Sequence, residues 1–214
     1  MRMRKLVPYG VAVLLAGCVP VFSLHPLYTK ETITFEEKLL GTFTDPNKPE
    51  DTWEFARLET SAAGRLPPSL RDQAAKCYRV NLTDGTGKGS VVACLVKLQD
   101  CLFLDFLPGK SPGGEQNPES TEFLLNAMFF LPVHTFVQVN FSGDQLKIRL
   151  TDDKEFKKLL KAEPNAVEYT MVEDRPIVTA STEELQAFLT KHANDDRLFV
   201  IEIPLTRKPS SVAR

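Results

Sequence analysis

The chain of 214 residues has only three histidines, four cysteines and one tryptophan. His25, His134 and His192 are far apart, and none has a second ligand at a spacing such as HExxH, so no metal centre is expected. There is no CxxC pair and no GxSxG turn, which removes the usual dithiol redox and esterase sites. Gly109-Lys110-Ser111 is no phosphate loop: Leu104 stands where that loop needs its first glycine, and Pro112 stands where its helix must begin. Gly85-Thr86-Gly87-Lys88-Gly89 fails in the same way and reads as a turn. No basic run exists to neutralise phosphates, so nucleic acid is not an expected partner. An enzyme is not the expected reading, no cofactor is expected, and a thiol site built from Cys94 or Cys101 with His134 is the one enzymatic arrangement left open.

What the sequence does have begins at its N-terminus. Arg2, Arg4 and Lys5 precede an apolar run over residues 6–16, broken only by Pro8, Tyr9 and Gly10, and small residues follow. That order of basic, apolar and small residues is the order of a secretory signal peptide. The apolar part is shorter than the roughly 20 residues that span a bilayer. Leu15-Ala16-Gly17-Cys18 at its end resembles a bacterial lipobox, and the resemblance implies a lipid on Cys18, cleavage before it and acylation of the new amino group. Two or more acyl chains hold a protein stably at a membrane. Val19 after the cysteine, rather than Asp, implies the periplasmic face of the outer membrane if the cell has two membranes. Removing residues 1–17 takes away three of the 26 Lys and Arg and none of the 28 Asp and Glu, leaving a mildly acidic mature chain.

The expected organisation is a signal peptide over residues 1–17, a lipid-anchored tether over 18–34, one β-rich domain over 35–207 and a flexible tail over 208–214. Pro20 and Pro26, with no periodicity around them, give the tether its extended character. Residues 35–40 offer one helical turn, and from Leu40 the pattern changes to period two. Strand patterns follow over residues 40–44, 52–58, 77–83, 90–98, 101–106, 133–141 and 145–150, several joined by turn sequences such as Asp84-Gly85-Thr86-Gly87 and Ser142-Gly143-Asp144. The stretch 90–98 is apolar on both faces, as a central strand is. Residues 108–118 are rich in Gly and Pro and read as a surface loop, and 119–130 as a short helix. Asp152 with Glu155, and Ser181 with Glu184, are capping boxes that open two helices with apolar stripes. Weak strand patterns lie between those helices, and a last strand runs over 198–206. The fold class expected is mainly β: an antiparallel barrel or half-barrel with two or three short appended helices.

Three cysteines, Cys77, Cys94 and Cys101, remain for the folded part; outside the cytoplasm any two of them can pair, leaving one thiol over, but an odd count with no CxxC spacing argues little for a disulfide framework, and at least two of them are expected as buried small hydrophobes. His192 near a helix C-terminus is explained by the helix dipole. His134, on a strand beside Phe136, is expected either at solvent or lining a cavity. The acidic pairs Glu36-Glu37, Asp152-Asp153 and Asp195-Asp196 are read as helix-start and turn charges.

Gly41-Thr42-Phe43, followed by Trp53, resembles the Gly-x-Trp of the lipocalin and calycin superfamily, with Phe in the place of Trp. The resemblance implies that Phe43 and Trp53 plug the closed end of a barrel able to hold one small apolar ligand. Over most of its length the chain is also similar to a family of uncharacterised bacterial envelope lipoproteins, through the lipobox, Ser23-Leu24-His25-Pro26-Leu27-Tyr28, Leu39-Leu40-Gly41-Thr42-Phe43, Trp53-Glu54-Phe55, Leu102-Phe103-Leu104-Asp105, Leu131-Pro132-Val133-His134-Thr135-Phe136 and Ser181-Thr182-Glu183-Glu184-Leu185. The functional expectation is a membrane-anchored binding or carrier module for a small apolar or lipid ligand, or alternatively a structural or assembly factor that binds another envelope protein, through residues 108–118 for example.

Cells fed labelled palmitate should incorporate it into the full chain, and Cys18→Ser should abolish incorporation and release the protein from washed membranes; label retained by the variant would refute the assignment of Cys18.

Overall fold

The computed structural model describes residues 20–59, 66–107 and 131–209. The expected signal peptide, the lipobox with Cys18, the loop over 108–118 and the helix over 119–130 lie outside the described residues. The strands are β1 (Phe22–Ser23), β2 (Ile33–Thr34), β3 (Gly41–Asp45), β4 (Lys48–Arg57), β5 (Cys77–Asp84), β6 (Gly87–Leu98), β7 (Cys101–Phe106), β8 (His134–Ser142), β9 (Gln145–Leu150), β10 (Tyr169–Val172), β11 (Arg175–Val178) and β12 (Ile201–Arg207). The helices are α1 (Asp153–Ala162) and α2 (Thr182–His192), with 3-10 segments at Glu37–Leu39 and Pro68–Lys76.

Strands β3 to β9 pair in sequence order, β12 inserts between β9 and β3, and β8 pairs with β9, so eight strands close into an antiparallel up-and-down barrel. The expected barrel is therefore the fold, and it is complete. Closure is what relieves a sheet of unpaired edges. Everything between β9 and β12, namely α1, the β10–β11 hairpin and α2, is one excursion of the chain packed outside the wall. β11 pairs with β1 in parallel and β1 with β8, so this hairpin extends the sheet sideways from the barrel.

Period-two patterning decides what faces inward. Phe43, Trp53, Phe55, Tyr78, Val80, Leu95, Leu104, Val137, Val139, Leu146, Ile148 and Ile203 form the interior cluster, each at most 3 % exposed. Part of the outward face of β5 to β8 is apolar too: Cys77, Cys94, Val96, Phe103 and Phe136 belong to a second core, while Arg79, Asn81 and Thr83 of β5 are the polar outward residues. That outer core is covered by Phe156, Leu159 and Leu160 of α1, Leu185, Phe188 and Leu189 of α2, Leu70 of the second 3-10 segment, and Val21, Leu27, Tyr28 and Ile33. Each fully buried side chain of this size is worth about 1.5–3 kcal/mol of transfer free energy, so the outer layer is as necessary as the interior.

Both helix starts follow the sequence. Asp152 Oδ1 accepts from the amides of Lys154 (2.8 Å) and Glu155 (3.3 Å), and at α2 the full box forms, with Ser181 Oγ accepting from Glu184 N and Glu184 Oε2 from Ser181 N. The expected tether needs correction. From Pro20 onward the segment is part of the domain: β1 and β2 are bonded to β8 and β6, and Ser23, Leu27 and Ile33 are buried. Its short apolar residues lack periodicity because they fill gaps between the wall and the helices rather than one face of a regular element.

A chain starting at Pro20 should therefore unfold in one cooperative urea transition, whereas one starting at Phe35 should lose several kcal/mol or fail to fold, because it uncovers the outer core; equal midpoints for the two would show that residues 20–34 are a tether after all.

Candidate functional site

Among the described residues, three places bring chemistry-bearing side chains together. The first is the barrel end where β3 begins. Phe43 and Trp53 are direct partners across β3 and β4, both fully buried in the interior, with Phe55 edge-on to Phe43 at 6.0 Å. Residues 35–40 lie over this end. Leu39 is inside the interior cluster, Phe35 stacks on Tyr78 at 4.8 Å, and Tyr78 Oη accepts from Glu36 N (2.7 Å) and donates to Glu36 O (3.2 Å). Burial raises the Tyr78 phenol above its ordinary range, so it stays a donor. Arg207 completes the cover: its guanidinium lies 4.6 Å from the Phe43 ring centroid and donates to the carbonyls of Leu40 (2.6 Å) and Lys38. Such a cation over a ring contributes about 0.5–2 kcal/mol. Gly41 fits here because its φ is +117° and a Cβ would stand 2.8 Å from Arg207 Nη1.

Further along the same inward face of β4 lies Asp51, two residues before Trp53. Asp51 Oδ2 and Trp53 Nε1 are buried with no hydrogen-bond partner among the described residues, and burial raises the Asp51 carboxyl above its usual range. The interior side chains around Trp53 leave essentially no accessible surface, so the middle of the barrel is filled by its own side chains. Eight strands give an interior just wide enough for side chains to do this.

The second place is under the N-terminal segment. Asp105 of β7 is fully buried, its Oδ2 accepting from Leu27 N (2.7 Å) and its Oδ1 lying 2.9 Å from His134 Nδ1. Burial pushes this carboxyl up and the hydrogen bond from His134 pulls it down. The Tyr28 ring sits edge-on to His134 at 6.0 Å, and burial pushes the Tyr28 phenol up to about 12. Cys94 stands opposite Asp105 across β6 and β7, and Cys77 stands opposite Cys94 across β5 and β6. The expectation that His134 reaches solvent or lines a cavity is thus replaced: only 8 % of it is exposed, and it is a fastener between the wall and residues 27–28.

The third is a cleft of about 460 Å³ lined by Asn140, Lys147, Arg149, Asp196, Glu202 and Pro204, among others. Its charges are paired across the floor. Lys147 lies 3.4 Å from Glu202, and Arg149 donates to Asp196 (2.9 Å) and Gln138 (2.7 Å), with the Phe199 ring 5.4 Å away. Arg149 is largely buried and holds the loop after α2 against the outer wall. His192 is buried at the end of α2, its ring 4.8 Å from Phe188 and its Nδ1 3.2 Å from Asp195 Oδ2. Arg197, bonded to the same carboxylate, holds Asp195 well below the usual range.

Of the residues singled out from sequence, Phe43 and Trp53 are brought together in the interior, and Cys18 lies outside the described residues. Asp105, Arg149 and Arg207 were not singled out. Asp105 left a readable trace, an acid inside Leu102-Phe103-Leu104-Asp105-Phe106 on the parity of Phe103; Arg207 likewise shares the inward parity of Ile203 and Leu205. No group of three or more His, Cys, Asp or Glu side chains among the described residues is arranged to hold a metal ion.

Fold and sites together define the class: a closed eight-stranded antiparallel barrel with a filled centre and a helical outer layer. Compared with known proteins, the chain matches no family model, no curated sequence and no solved structure at a significant level.

Asp105→Ala should lose about 3 kcal/mol, because the buried Leu27 amide and the buried His134 ring each lose a hydrogen-bond partner at about 1–3 kcal/mol, with much faster hydrogen exchange at the Leu27 amide; an unchanged exchange rate there would show that Asp105 does not hold the segment.

Proposed function

We propose that this protein is a non-enzymatic binding module of the bacterial envelope, anchored by lipid on Cys18, whose partner is another envelope protein. The observation that carries the choice of partner is the filled interior. A small apolar ligand inside needs a cavity of hundreds of Å³, and here Trp53, Phe55, Tyr78 and their neighbours occupy that space. A protein partner needs only a surface, and the cleft beside β9 and β12 offers a concave one with charges of both signs. The non-enzymatic reading rests on how His134 and Asp105 are used: the carboxylate is spent on Leu27 and His134, beneath packed chain. The carrier reading has one observation in its favour, the barrel itself with its aromatic-lined, covered end, and it stays the competing proposal.

Two measurements on protein from its own envelope separate these readings. Native mass spectrometry should give the lipidated chain alone, and a photo-crosslinking residue at Asn140, exposed on the cleft, should join one discrete envelope protein in living cells while the same probe at Lys158 on α1 should not. A stoichiometric small molecule retained by the chain would replace the protein-partner reading with the carrier reading, and equal crosslinking from both positions would remove the cleft as the contact surface.

A further inference from the structure

Cys77 and Cys94 are the only cysteines of the described residues that meet. They are directly opposite each other in the β5–β6 ladder, both fully buried, with Sγ atoms 3.1 Å apart. Cys101, on β7, is half-buried and pairs in register with Leu98 instead. Directly opposed residues of antiparallel strands have Cα atoms about 4.5 or 5.5 Å apart, and both values fall within the roughly 4.4–6.8 Å that a disulfide spans. No backbone movement is therefore needed to join this pair. The two sulfurs already share a hydrogen bond, which holds the Cys77 thiol below its ordinary range and pushes Cys94 up.

We propose that Cys77 and Cys94 form a cross-strand disulfide in the mature protein, leaving Cys101 as the single thiol, and that this bond staples the barrel wall beneath the outer core. The bond forms by exchange with a protein or small-molecule disulfide of the compartment. The Cys77 thiolate attacks one donor sulfur and releases the other as a thiolate. Cys94, deprotonated in turn, displaces the remaining donor half from the mixed disulfide, so two electrons pass to the donor, which leaves as two thiols. Because both sulfurs are inaccessible in the packed domain, exchange occurs before residues 20–34 and the Pro68–Lys76 segment dock over the pair, and once formed the bond is shielded from reductants. Its formation in cells rests on the envelope reading above, since cytosolic thiols are kept reduced; the pairing itself does not.

The test uses the full chain in detergent, compared in two preparations. One is isolated from whole cells with free thiols blocked at lysis; the other is reduced, unfolded and refolded with oxidised glutathione. Trypsin cuts after Lys76, Arg79, Lys88 and Lys97, so the proposed bond joins the peptides Cys77–Arg79 and Gly89–Lys97. That joined peptide is expected in both preparations, unchanged in Cys101→Ser, and the oxidised protein should melt about 5–10 °C above the reduced one, as a loop of this length predicts. The joined peptide in the refolded sample alone would uphold the pairing and overturn the envelope location. Its absence from both, or either cysteine joined to a peptide carrying Cys101, would overturn the proposal.

Discussion

The structure depends on one wall with two apolar faces. Strands β5 to β8 bury Tyr78, Val80, Leu95, Leu104 and Val137 on one side and Cys77, Cys94, Val96, Phe103 and Phe136 on the other. A half-solvated antiparallel sheet alternates apolar and polar residues; β6 of this wall does not, and Cys77, Phe103 and Phe136 extend its outward apolar patch onto the neighbouring strands. Its outward side chains cannot stay in water without losing about 25 cal/mol for each Å² of apolar surface left uncovered. The chain must therefore supply a second layer. It does so from both ends of the sequence: residues 20–34 come from the N-terminal side, and the excursion between β9 and β12 comes from the C-terminal side.

Burying that second layer brings polar groups with it, and each is tied down. The amide of Leu27 enters a dry interface and is met by Asp105, whose carboxylate in turn needs a donor and finds His134. A buried polar group left without its hydrogen bond costs about 1–3 kcal/mol, so the His and Asp depend on one another and the segment depends on both. Arg149 plays the corresponding part at the other side of the layer, linking Gln138 on the wall to Ala193 O and Asp196 after α2. At the covered end of the barrel, Arg207 joins the last strand to the segment just before β3. In these places a charged side chain joins parts of the chain that are distant in sequence.

This economy bears on function. Charged and polar residues that look chemical in isolation are engaged in holding layers together, and the interior that a carrier would keep open is occupied. Among the described residues, the outwardly available surface includes the cleft along β9 and β12, and the outer edge of β10, where Met171 and Val172 are about half exposed. A domain built this way offers shape and charge on its outer face, and its packing begins as early as Pro20 and Val21.

Local order was legible in the sequence because it is local physics. Period-two patterns placed the barrel strands, Asp84-Gly85 and Ser142-Gly143 placed turns, and Asp152 and Ser181 placed helix starts, since each rests on residues a few positions apart. The double-sided apolar stretch at 90–98 even announced a central strand. Residues 20–34 were not legible, because nothing in their own pattern says that they fill space between a wall and two helices from 120 or more residues later. The pairings of Asp105 with Leu27, Phe43 with Arg207 and Cys77 with Cys94 belong to the same class. By itself the sequence determined which residues turn inward and which elements form. Only the tertiary structure decided that the barrel closes, that its centre is filled and which buried polar groups meet, because those outcomes depend on volumes and distances between segments that no short window of sequence contains.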